Sequence, residues 1–311
     1  MGDTSRTGSQ SLPDEKQYYP DQADAVSVVT STQTDEVPPD HHTKMPKSMT
    51  TTATPYRPFP SLMKAYYQWS LLGIKVFNLC GPSGEHERLF AVEQHTGYSF
   101  SGPLGIRPGM ILYNGTSTKD RILAAAGDES QMGARPYAFN PNTIILLPPR
   151  VPGSKFMVRE MMRARSIGNG VTFQFSLDVG LGEKTGRETF EWRKIMKAEK
   201  DEEAKQGGFK LFRVPSSSSS GSSSQAVPSS SSSAVAADSN SEVFALFAWT
   251  KTFSNPNHPF TLELKVDGLA TGLGESWTLA VVITAARLWM LHMCGKTNRP
   301  VVAASDRIRR K

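Results

Sequence analysis

Cysteine is nearly absent from this chain: Cys80 and Cys294 are the only two, and they lie far apart. A disulfide framework is therefore excluded as the organising device. No Cys/His cluster has metal spacing, and Cys80 beside His86 is an isolated coincidence. The six histidines are scattered, with His41 and His42 in a polar N-terminal stretch. No Gly-x-Ser-x-Gly elbow occurs. Gly180-Leu181-Gly182-Glu183-Lys184-Thr185-Gly186 lacks both the Gly-Lys-Ser/Thr order of a P-loop and the spacing of a dinucleotide fingerprint, so it reads as a glycine-rich hairpin loop. Nucleophilic and metal catalysis thus have no sequence support, and a non-enzymatic protein without metal or cofactor is expected. The start of the chain also lacks a basic region followed by an apolar one, so no secretory signal is read. An intracellular, reducing compartment is the expectation, and Asn114-Gly115-Thr116 is then a turn rather than a glycosylation site.

Large apolar side chains are scarce in two stretches. Residues 1–60 are rich in Thr, Ser, Asp, Gln and Pro, too polar to offset the entropy of ordering them, and are expected to be disordered. Ser216 to Ser233 is almost all serine and marks a flexible insertion over about 215–240. One domain is left, spanning 61–295 and interrupted by that insertion. After it comes a basic tail, 296–311, with Lys296, Arg299, Arg307, Arg309, Arg310 and Lys311 against the single Asp306. The tail reads as solvated and disordered, with attraction to anionic lipid or nucleic acid as the alternative. The net charge of +6 is mild.

One long apolar run is present, Ser276 to Gly295, and Arg287 is its only charged residue. As a helix, Leu279–Cys294 spans about 24 Å, short of a hydrocarbon core of roughly 30 Å. A charge near its middle costs about 2.5–3.5 kcal/mol in lipid. Ser276 suits an N-cap and Gly295 a stop. The run is therefore read as a buried helix of a soluble domain, with Arg287 pairing an inward carboxylate or reaching the rim. The β-branched residues Val281 to Thr284 leave a strand reading of its first half open.

Everything before it reads as short strands. Leu62–Trp69 is aromatic and suits either a short helix or an edge strand; packing, rather than stacking on bases, is the expected role of Tyr66, Tyr67 and Trp69. Strands follow at Arg88–Glu93, Met110–Tyr113, Arg121–Ala126, Asn142–Leu147, Lys155–Met161, Val171–Leu177, Thr189–Arg193, Gly208–Val214, Glu242–Thr250 and Pro259–Val266. Val171, Phe173, Phe175 and Leu177 alternate with Thr172, Gln174 and Ser176, the pattern of a half-buried antiparallel strand. Many short strands followed by one apolar helix argue for a barrel or a sandwich.

The order of these parts resembles the tubby C-terminal-like superfamily, which includes LURP-one-related proteins and phospholipid scramblases, and more narrowly its fungal members of unknown function. The resemblance is carried by Leu112-Tyr113-Asn114-Gly115, Ala124-Ala125-Ala126, Ile144-Ile145-Leu146-Leu147-Pro148, Phe190-Glu191-Trp192-Arg193, Gly208-Phe209-Lys210-Leu211, Glu242-Val243-Phe244-Ala245 and Trp277 to Ala285, across residues 86 to 295. It implies a mainly β fold: a closed antiparallel barrel of about twelve strands around the central C-terminal helix. It also implies binding of phosphoinositides through basic residues, or action at membranes. The basic pair of tubby proteins has a loose counterpart in Arg163-Ala164-Arg165, while the Pro-rich and cysteine-rich signatures of scramblases are missing.

Lys155, Arg159, Arg163 and Arg165 form the densest basic stretch of the domain. On a strand, Arg163 and Arg165 point the same way, as a phosphate clamp requires; an ordinary exposed strand end is the plainer reading. The expectation is a monomeric binding module for anionic phospholipid or phosphoinositide headgroups, peripheral at membranes, with no specific nucleic acid partner. The alternatives are a protein-interaction scaffold without lipid affinity, its partners unknown, and a scramblase-like membrane protein.

Overall fold

A computed structural model of the protein describes residues 57–69, 76–98, 102–130, 140–149, 156–181, 184–196, 204–215, 242–250, 256–268 and 271–309. The first six strands are β1 (Leu62–Gln68), β2 (Val76–Cys80), β3 (Arg88–His95), β4 (Gly109–Tyr113), β5 (Ile122–Asp128) and β6 (Thr143–Leu147). They are followed by β7 (Val158–Ile167), β8 (Gly170–Leu181), β9 (Lys184–Lys194), β10 (Gly208–Val214), β11 (Val243–Trp249) and β12 (Phe260–Leu264). Two helices end the chain, α1 (Glu275–Met293) and α2 (Arg299–Arg309). Of the segment 1–60 read as disordered, residues 1–56 lie outside the described residues and 57–60 within them; the serine-rich insertion over 216–240, read as flexible, also lies outside.

Each strand pairs antiparallel with its neighbours in sequence, and β1 pairs with β12 through Met63 and Leu262, so the sheet is a closed twelve-stranded barrel. Closure leaves no strand edge among the twelve. The alternation in β8 sends Val171, Phe173, Phe175 and Leu177 into the core. The unbroken apolar run of β6 has a different cause, because both of its faces are covered. Ile145 and Leu147 point to the interior, while Ile144 and Leu146 join Leu104, Ile111, Tyr113, Ile122 and Met157 in a second cluster on the outside. The insertion joins β10 to β11, whose pairing runs from Gly208 opposite Ala248 to Phe212 opposite Val243. A long loop between paired strands adds little closure entropy.

Helix α1 is the axle of the barrel. Every residue from Leu279 to Leu291 is buried, which requires protein on all sides of the helix. Its neighbours include β4, β5 and β6 on one side and β8 and β12 elsewhere in the ring. The helical reading of Val281–Thr284 therefore holds, with Thr284 accepting a 3.0 Å hydrogen bond from Trp192 Nε1 on β9. The start differs from expectation. Ser276 is inside the first turn, Gly274 occupies the N-cap without a side-chain bond, and Glu275 faces the positive helix end. The stop is as read: Gly295 has φ 69°, its N–H donates to the His292 carbonyl at 2.9 Å, and the Lys296 N–H donates to Leu291 at 2.8 Å. That is a Schellman closure, which needs a residue tolerant of positive φ.

Arg287 finds the inward carboxylate. It is 1% exposed and pairs with Asp128, 2% exposed, at the end of β5. Its Nε donates to Thr143 Oγ1 at 3.2 Å, and Lys296 Nζ reaches the second carboxylate oxygen of Asp128 at 3.2 Å.

The basic tail, read as solvated and disordered, is instead the helix α2 over Arg299–Arg309, and it packs against β7 and β8. Val302 is fully buried in the main core, Asp306 accepts from the Ser166 N–H at 3.4 Å, and Arg299 donates to Asn169 at 3.3 Å. One buried valine and these polar ties order a segment whose composition is otherwise that of solvated chain.

Candidate basic face on the outer wall

On β7 the even positions Met162 and Ala164 are buried in the core, so the odd positions Arg159, Met161, Arg163 and Arg165 point outward. The sequence-predicted pair is thus brought together on one face. Residues two apart on a strand are about 6.8 Å apart along it, within reach of one phosphate group for two long side chains. Arg165 is exposed and Arg163 half-buried. Neither guanidinium pairs with a carboxylate among the described residues. Lys155, read as part of the same basic stretch, lies outside the described residues.

The register extends this pair sideways. Arg165 stands opposite Thr172 on β8, Thr172 opposite Arg193 on β9, and Arg193 opposite Lys210 on β10. Strands are about 4.8 Å apart, so Arg165 and Arg193 flank Thr172 with roughly 10 Å between their backbones. Thr172 is 7% exposed, and its hydroxyl has no hydrogen-bond partner. Arg193 is held in place from two sides: Nε donates to Glu191 at 2.7 Å, and the guanidinium lies 4.5 Å from the centroid of the Phe212 ring. The face therefore brings Arg163, Arg165 and Arg193 together, with Lys210 beside them and Glu191 holding Arg193. Such a surface attracts anions and positions planar donors for phosphate or carboxylate oxygens. Sequence reading stopped at Arg163 and Arg165, because Arg193 and Lys210 join them only through the pairing of four strands.

The other side chains singled out from the sequence have structural work. Tyr66 stacks on His258 at 4.9 Å, Tyr67 meets the Trp289 ring edge-on at 5.8 Å, and Trp69 donates to Asn257 at 2.6 Å. Burial pushes the Tyr67 hydroxyl up to about 12 and the Cys80 thiol up to about 11, so both stay protonated and inert at neutral pH. The glycine-rich stretch joins β8 to β9, with Leu181 opposite Lys184. Arg187 holds Glu160 and Asp178, and that hydrogen bond to Glu160 raises its pKa. Among the described residues no group of three His, Cys, Asp or Glu side chains is placed to hold a metal ion.

A cavity of about 370 Å³ opens where α1 enters the barrel, between Pro58 and Phe59 on one side and Leu264, Val266, Asp267 and Glu275 on the other. Its lining is mixed, with Lys265 beside the carboxylates of Asp267 and Glu275.

In comparisons with known proteins, no family model, no curated protein and no solved structure matches this chain.

Proposed function

We propose that the protein is a non-enzymatic binding module for anionic, phosphate-bearing headgroups of the phosphoinositide kind, engaged on the outer wall of β7 to β10. The observation that supports this reading is the alignment of Arg163 and Arg165, two outward guanidiniums without a carboxylate partner among the described residues, beside Arg193. Arginines without a carboxylate partner have no ion pair to break on meeting a phosphate, and their planar fork loses little freedom per hydrogen bond formed, which favours binding. On this reading the protein is intracellular and peripheral at a membrane. The scramblase-like alternative gains no support from α1, whose apolar surface is already covered by strands.

Vesicle co-sedimentation with and without phosphoinositide tests the proposal. The intact chain is expected to sediment with phosphoinositide vesicles, more weakly as salt screens the exposed charges. Arg163→Ala with Arg165→Ala is expected to weaken sedimentation at least tenfold, each charge-assisted pair contributing about 1.5–3 kcal/mol. Equal sedimentation by the double variant would remove the clamp. No vesicle binding at all would replace the reading with a protein-interaction module.

A further inference from the structure

A second cluster on the outer wall points to a ligand independently of that reading. Gly109 on β4 and Gly127 on β5 stand opposite each other, and the side chain of Leu104 fills the notch they leave. A Cβ built on Gly109 would lie 2.7 Å from Leu104 Cδ1, and one on Gly127 would lie 2.8 Å from Leu104 Cδ2. The loop before β4 is therefore pinned to the sheet. It is tightened further by the Arg107 N–H, which donates to the Leu104 carbonyl at 3.0 Å. Arg107 follows three residues after Leu104, which lies in the outer cluster together with Leu146. Leu146 stands opposite Arg159 on β7, and the Arg159 charge is felt at Arg107, so both guanidiniums belong to this part of the wall.

Two guanidiniums near each other ordinarily bring in a carboxylate. Among the described residues none pairs with either of these. The Nε of Arg107 is buried without a hydrogen-bond partner, a donor whose desolvation nothing offsets. Burial first, and then the Arg159 charge, lowers the Arg107 pKa, the direction expected of a cation held against a like charge. Both side chains remain partly open to solvent.

We infer that Arg107 and Arg159 form a binding site for a tetrahedral oxyanion, a phosphate or sulfate group, that enters between the two guanidiniums and takes the unpaired Nε–H of Arg107. Arg159 lies four strand residues from Arg163, about 13.5 Å along β7, so variants at the two places can be read apart. The two sites are thus separable, and this one does not depend on the proposed headgroup site.

The test uses the full chain, with melting temperature followed in inorganic phosphate, in a phosphomonoester such as glycerol phosphate, and in chloride at matched ionic strength. A rise in melting temperature that grows with phosphate concentration is expected in the intact chain and in the Arg163→Ala, Arg165→Ala double variant. A rise with inorganic phosphate identifies the free anion as sufficient. A rise with the phosphomonoester alone identifies a group carried on a larger molecule. Arg159→Gln, which keeps much of the stem, is expected to weaken the apparent phosphate affinity at least tenfold while melting no lower than the intact chain in chloride, since it removes a like-charge contact. Equal melting of the intact chain in all three solutions overturns the inference. So does a phosphate response left unchanged by both Arg159→Gln and Arg107→Gln. Lower melting of Arg159→Gln in every solution, with the phosphate response intact, assigns Arg159 a packing role and overturns it too.

Discussion

Removing the charge of Asp128 is the sharpest perturbation the interior offers. Its carboxylate is 2% exposed and serves two cations, Arg287 and Lys296, the first of them 1% exposed. Asp128→Asn keeps the shape but leaves both cations facing a neutral amide. Breaking a buried pair from one side costs about 3–5 kcal/mol, because the remaining charge is desolvated and uncompensated. The partner substitution is not equivalent. Arg287→Met leaves the carboxylate with Lys296, so its cost is expected to be smaller, about 1–3 kcal/mol, part of it the loss of the bond to Thr143. The double variant Asp128→Asn, Arg287→Met removes the carboxylate and its most deeply buried cation together. It is expected to be more stable than Asp128→Asn alone, a coupling of about 1–3 kcal/mol. Urea unfolding of the four chains gives the cycle directly, provided the slopes agree so that the midpoints report stability. If the two single variants lose the same stability and the double variant loses their sum, the cluster is not a shared carboxylate between two cations, and the asymmetry argued here is wrong.

Further predictions concern the backbone, a titration and a hydrogen bond. Gly208 has φ 151°, and a Cβ there would lie 1.9 Å from the Phe247 carbonyl oxygen on β11. The strained φ alone costs on the order of 1–3 kcal/mol, so Gly208→Ala is expected to lower the urea midpoint strongly, and an unchanged midpoint would show that β10 lies elsewhere. Burial lowers the pKa of both His258 and His292 below the ordinary 6.5, so the unfolded chain binds more protons than the folded one just under that value. Stability from these two groups is full above pH 6.5 and falls as pH drops through 6.5 toward their folded values. Melting curves between pH 5 and 8 check this, with the slope expected to shrink in His292→Gln. Trp192→Phe removes the indole donor to Thr284 and is expected to cost about 0.5–1.5 kcal/mol for the bond beyond any packing loss; spectra of the remaining tryptophans confirm the fold.

The parts of this architecture that are legible in the sequence are those written in a short period. Val171, Phe173, Phe175 and Leu177 announce an inward face by alternation, and the run Leu279–Leu291 announces a helix needing cover on all sides. Arg287 in that run implies a hidden acid, and Asp128 supplies it. Other parts carry weaker marks. β2 is a five-residue strand with Asn78 at its centre, and Asn78 is 2% exposed, so neither length nor alternation reveals it. The charges of α2 obscure it, although Asn298 before the first turn and Pro300 within it are helix start signals. The basic face is only half legible. Arg163 and Arg165 are neighbours in sequence, but Arg193 joins them through registers β7–β8 and β8–β9. Leu104 is seated in a notch between Gly109 and Gly127 and brings the loop of Arg107 to the wall, which no local pattern encodes.

The position of α1 also dictates an order of events during synthesis. All twelve strands leave the ribosome before the helix that fills them, and until Leu291 has emerged the nascent ring has nothing at its centre. The inward phenylalanines of β2, β3, β8, β9, β10, β11 and β12 must wait without the helix that completes their burial. A nascent chain stalled before Ser276 would expose that surface, making it a client for chaperones rather than a shorter version of the folded domain.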